Sequence, residues 1–163
     1  MRLLPSSITL LRHLVICGSV ATAFAAGAAW QPGEALPQQL TLKDQHEKLV
    51  PVTRDTRIIF LAAEMGASKM MAKALEGLPA TALQERKAVY IADISAMPEP
   101  IASIVAVPRM RKLPYPVAVV RHGDETARMP RKSGAVTVLQ IADGRVVAVD
   151  YAHTPEQLGR YLR

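Results

Sequence analysis

Three short apolar runs, at residues 56–62, 88–94 and 117–121, are separated by stretches with helical character, and this alternation limits the possible folds more than any other feature of the chain. An apolar run with little polar alternation suits a strand covered on both faces of a sheet. Strands of that kind joined through helices run parallel, because the crossover is right-handed. The first intervening helix is well signalled. Residues 69–76 are strong helix formers, Gly77 and Pro79 end the pattern, and Ser68 or Ala67 is the expected opening residue, with Ser68 as N-cap. A shorter second helix is expected over 99–105, with Asp93 or Ser95 as its cap and Pro108 as its stop.

Hairpins are predicted on either side of this core pattern. Residues 40–42 and 49–52 flank the polar segment 43–48, and residues 135–141 and 145–151 alternate around Ala142-Asp143-Gly144, where Asp-Gly favours a tight hairpin turn. Thr154-Pro155-Glu156 then opens a final helix that carries Leu158 and Leu162 on one face. The expected fold is one α/β domain over 39–163, a mixed central sheet flanked by helices. Aromatic residues make up only 4% of the chain, so alanine, valine, leucine and isoleucine must fill the core.

The first 25 residues read as a signal peptide: Arg2 and Arg12, an apolar run over 14–24, and small residues that place cleavage after Ala25 or Ala28. That run is shorter than the ~20 residues of a spanning helix. The expectation is a periplasmic or secreted protein with no stable membrane span after cleavage. Residues 26–38, with Pro32 and Pro37, read as an extended linker that neither packs nor pairs. Cys17, the only cysteine, falls within the signal, so the mature domain is expected to be cysteine-free and to hold by packing alone. Cleavage after Ala25 removes two arginines and no acid, lowering the net charge from +6 to +4.

Three segments carry a family resemblance. Phe60-Leu61-Ala62-Ala63-Glu64-Met65-Gly66-Ala67-Ser68-Lys69-Met70-Met71-Ala72 resembles the strand-to-helix segment of thioredoxins, with Met65 and Ser68 at the two cysteine positions of Cys-Gly-Pro-Cys. Tyr90-Ile91-Ala92-Asp93-Ile94-Ser95-Ala96-Met97-Pro98 is similar to the strand and turn that follow the redox helix. Leu113-Pro114-Tyr115-Pro116-Val117-Ala118-Val119-Val120 is similar to the family's cis-proline and the strand after it, with Tyr115-Pro116 the expected cis bond and Leu113-Pro114 the next candidate. The segment Lys43-Asp44-Gln45-His46 resembles the hairpin of the secreted branches, which include periplasmic thioredoxin-like and copper-chaperone proteins.

The resemblance implies a thioredoxin-like fold over about 40–162, in which the 65–68 loop lies beside the proline loop and the two grip an extended peptide. Thiol-disulfide exchange needs an attacking thiolate and a resolving thiol. Met65-Gly66-Ala67-Ser68 offers neither. The function expected is therefore a redox-inactive binding module that recognises an envelope protein or peptide through Met65, Gly66, Ala67, Ser68, Tyr115 and Pro116, without disulfide oxidoreductase activity and without a cofactor. A copper carrier on the same fold, or an enzyme using non-thiol groups, remains the alternative.

Other chemistry finds little support. Ser68 as a nucleophile would need a positioned base, and capping is the simpler role. His46, His122 and His153 lack local metal-ligand spacing. Met65, Met70, Met71, Met97, Met110 and Met129 are soft ligand types, and Met65 with His122 would supply part of a Cu(I) site, but the cysteines of the copper branch are missing, so no metal site is assigned. No glycine-rich phosphate loop follows a strand. Charge is more informative. Positions 109–132 hold seven cations against Asp124 and Glu125, a local balance of +5. Arg109, Arg111, Lys112, Arg128, Arg131 and Lys132 form a candidate basic patch that would steer an acidic partner or an anionic surface, or else simply solvate the loop. Nucleic acid is not expected, since no aromatic residues interleave with these cations to stack bases.

Overall fold

Each apolar run becomes a strand with two covered faces. The computed structural model describes residues 29–37 and 40–163. The signal segment, with Arg2, Arg12, Cys17 and both cut sites, lies outside the described residues. Strands β1 (Leu40–Lys43) and β2 (Leu49–Val52) form the expected N-terminal hairpin, with Leu40 opposite Val52. A five-stranded sheet follows, built from β3 (Ile58–Ala62), β4 (Ala88–Asp93), β5 (Ala118–Val120), β6 (Val136–Ala142) and β7 (Arg145–Ala152) in the order β5-β4-β3-β6-β7. β3, β4 and β5 are parallel, while β6 runs antiparallel to both β3 and β7. Asp143 (φ 51°) and Gly144 (φ 73°) both take the left-handed conformation that the tight β6–β7 turn requires.

The period-two pleat of β3 divides the core. Phe60 and Ala62 pack with Ala67, Met71 and Leu75 of α1 (Met65–Leu75) and with Leu158 and Leu162 of the last helix, whereas Ile59 and Leu61 face Trp30, Leu40, Leu42 and Val52. A short α2 (Ala82–Glu85), not anticipated from the pattern, seals the edge with buried Ala82 and Leu83. After β4 come α3 (Glu99–Ile101), a π-helical turn over Ala102–Ala106, and α4 (Val107–Met110). α5 (Pro155–Leu162) starts as expected: the Thr154 side chain accepts a hydrogen bond from the Gln157 amide at 3.3 Å. Its Tyr161 ring meets Phe60 edge-on, with centroids 6.4 Å apart. Among the described residues no helix is long and apolar enough to cross a membrane.

Three local expectations are corrected. Ser68 does not cap α1. The helix begins three residues earlier, with Glu64 at the N-cap, and the Ser68 amide donates to the Glu64 carbonyl at 3.0 Å, inside the first turn. Pro108 does not end the second helix, and neither Asp93 nor Ser95 caps it; Pro98 holds that position. Proline lacks an N–H and crowds the carbonyl four residues back, and here the helix widens to π geometry just before Pro108 and continues past it. Residues 29–37, read as part of a loose linker, are docked. Trp30 is buried in the second core, the Gly33 amide donates to Val146 O at 2.7 Å, and the Val146 amide donates to Glu34 O at 2.9 Å. An open strand edge at β7 and an apolar anchor outweigh the prolines.

Candidate functional site

The abrupt end of β3 at Ala62 sets the first half of the site. With only Ala63 and Glu64 between strand and helix, Met65 and Gly66 are thrust into solvent at the start of α1, while Ala67 turns fully inward. Of the six methionines weighed above, only Met65 is exposed, at 61%; Met71 and Met129 are core, and Met70, Met97 and Met110 are half-buried in packing. The second half comes from residues 113–117, which follow α4. Pro116 is exposed, but Tyr115 retains only 7% of its accessible surface.

Ala67, Tyr90 and Tyr115 belong to one apolar cluster, so the two segments meet beneath the surface. Burial pushes the Tyr90 phenol far above its ordinary pKa; a hydrogen bond from Ser68 pulls it part of the way back, and nearby Tyr115 adds to the rise. Burial likewise raises Tyr115. Both phenols therefore stay neutral at physiological pH. Ser68 thus faces a neutral phenol. Among the described residues no group of three or more His, Cys, Asp or Glu side chains is placed to hold a metal.

The expected cis-proline is corrected: the described residues contain no cis peptide bond, so Leu113-Pro114 and Tyr115-Pro116 are both trans. In the extended trans path the Tyr115 carbonyl and the Val117 N–H point the same way, and the buried Gln45 side chain binds both. Its Nε2 donates to Tyr115 O at 2.8 Å, and the Val117 amide donates to its Oε1 at 2.7 Å. The Gln45 backbone adds a bond from its own amide to Val117 O, and its carbonyl accepts from Arg111 Nε at 3.0 Å. A side chain 70 positions away in the N-terminal hairpin thus shapes the proline segment, and no local signal in the sequence marks it.

The candidate basic patch is divided. Arg131 Nη2 donates to Asp93 Oδ2 at 2.7 Å, Arg128 pairs with Glu34 at 2.7 Å, and Lys132 Nζ sits 5.5 Å above the Tyr151 ring. Arg109 and Lys112 are exposed. Asp93, offered by the sequence only as a cap, is a buried junction. Its carboxylate also accepts from the Ser95 amide and hydroxyl at 2.9 and 2.6 Å, and from the Thr126 hydroxyl. Burial works to raise its pKa, but the bonds from Ser95 and Thr126 and the Arg131 charge together hold it below the usual carboxylate value. A cavity of about 240 Å³ opens beside Glu64, Arg131 and Lys132, next to the start of α1.

Solved structures share this fold. They include a candidate protein disulfide isomerase from Bacteroides thetaiotaomicron, 16% identical at a TM-score of 0.55 over 83% of this chain and 92% of that one. Peroxidoxin BcpB from Mycobacterium tuberculosis is 17% identical at a TM-score of 0.52, over 82% and 94% of the two chains. A thio-disulfide isomerase from Thermus thermophilus is 17% identical at 0.50, over 78% and 90%. The fold is thioredoxin-like. No protein-family model matches the chain, and no curated protein matches it. The names of these thioredoxin-like neighbours speak of disulfide isomerisation and a peroxidoxin, whereas this thioredoxin-like chain has Met65-Gly66-Ala67-Ser68 at the start of α1 and no cysteine among its described residues.

Proposed function

We propose that this protein is a redox-inactive thioredoxin-like binding module of the periplasm or secreted space that recognises a protein or peptide through the surface where Met65, Gly66 and Pro116 emerge. The observation that carries the reading is the exposed Met65 at the head of α1, where a thioredoxin would hold a cysteine, next to buried Ala67, which shares a core cluster with Tyr115. A flexible, polarisable thioether adapts to varied apolar side chains, which suits peptide contact without covalent chemistry. The apolar segment over 14–24 supports the export address. Ala67 and Tyr115 serve this face from beneath, and Ser68 holds α1 against Tyr90.

Cross-linking capture from an envelope extract tests the assignment. Met65→Glu places a charge on an exposed position, so its unfolding midpoint should match that of the native chain while a specific partner is lost. Equal capture by both proteins would remove this face from the reading.

A further inference from the structure

Solvent-facing positions of a surface helix are normally polar, yet the helical stretch after β4 is reversed. Small Ala102 and Val107 face inward against Ile94, while Ile101, Ile104 and Val105 point outward with exposures of 46, 73 and 38%. Three large aliphatic side chains on consecutive helical turns form a patch that calls for a contact. Its edge is cationic. Arg109, Arg111 and Lys112 follow within the next turns, and the one acid in the stretch, Glu99, is paired with Arg121 at 3.3 Å. The side chains of Arg109 and Lys112 carry no hydrogen bond or ion pair among the described residues, although the Lys112 amide donates to the Arg109 carbonyl at 3.1 Å.

From this juxtaposition we propose that the 99–112 segment is a docking surface for an anionic lipid bilayer, with Ile101, Ile104 and Val105 entering the interface and Arg109 and Lys112 meeting headgroup charges. An aliphatic knob with a basic rim is the chemistry of interfacial helices. A second copy of the chain is disfavoured, because facing patches would bring their arginines and lysines together. The shape also disfavours a peptide in a groove: the neighbouring cavity, about 350 Å³, is lined by Val107, Val119 and Arg121 and by none of the three outward aliphatics. The inference is independent of the Met65 face.

A local fluorescent probe tests it in the full chain. Cys17→Ser removes the native thiol, and Ile104→Cys, or Val147→Cys on the distant strand β7, carries an environment-sensitive dye; both positions are exposed, so neither label disturbs the core. With vesicles of mixed phosphatidylglycerol and phosphatidylcholine, emission at position 104 should shift to the blue while position 147 stays unchanged. Phosphatidylcholine alone should leave both unchanged. Because a basic side chain at an anionic surface contributes roughly a fivefold factor, Arg109→Gln with Lys112→Gln should weaken the response on the order of 20-fold. No shift at 104, equal shifts at both positions, or a shift with phosphatidylcholine alone would overturn the proposal. So would a response to soluble polyglutamate but not to vesicles, which would reassign the face to an acidic polypeptide.

Discussion

Replacing Gln45 with alanine should destabilise the domain far more than an ordinary loop substitution. Gln45 is 2% exposed, and its carboxamide satisfies the Tyr115 carbonyl and the Val117 amide at 2.8 and 2.7 Å. Val117 is itself fully buried, so its amide has no direct exposure to bulk water in the native chain. Each buried polar group left unpaired costs about 1–3 kcal/mol, so two such groups put the loss at roughly 2–6 kcal/mol. Against a total stability of about 5–15 kcal/mol this is a large share. It corresponds to a fall of roughly 6–30 °C in melting temperature for a domain of this size. Urea unfolding followed by circular dichroism measures the loss, and native-state hydrogen exchange at Val117 reports it locally. If Gln45→Ala costs less than about 1 kcal/mol and the Val117 amide remains as protected as in the native chain, the bridging argument fails.

Other consequences are equally direct. Asp93 has a folded-state pKa held below its unfolded value, so its stabilising contribution is complete above the ordinary carboxylate pKa of about 4 and is lost as pH falls through the lower folded value. Asp93→Asn should therefore lower stability at neutral pH and flatten the acid limb of the unfolding curve; an unchanged acid limb would refute this. Tyr115→Ala should lose about 3–5 kcal/mol, as for deletion of a core aromatic, whereas Tyr115→Phe should stay close to native; calorimetry separates the two, and a neutral Tyr115→Ala would show that the ring is not part of the core. Insulin reduction by dithiothreitol should run no faster with the mature protein than without it, since both thiol positions are occupied by Met65 and Ser68. Catalysis above background would overturn the redox-inactive reading.

The local grammar of this chain was largely legible. Apolar runs at 56–62, 88–94 and 117–121, the Asp143-Gly144 turn and the Thr154 cap each depend on neighbours a few residues away, and each led to the element found. That Met65 and Ser68 stand where a thioredoxin would hold its cysteine pair was likewise readable from residue type alone.

What the tertiary structure decided depends on partners distant in the chain. Gln45 meets the Tyr115–Val117 backbone across some 70 residues, Arg131 meets Asp93 across 38, and the 29–37 segment finds the edge of β7 more than 100 residues later. The trans path at Pro116, the division of the basic residues and the burial of Tyr115 all follow from such contacts. Sequence periodicity shows that a side chain prefers burial or a backbone group needs a partner, but only the closed fold selects the partner, because hydrogen-bond satisfaction and packing are properties of proximity in space.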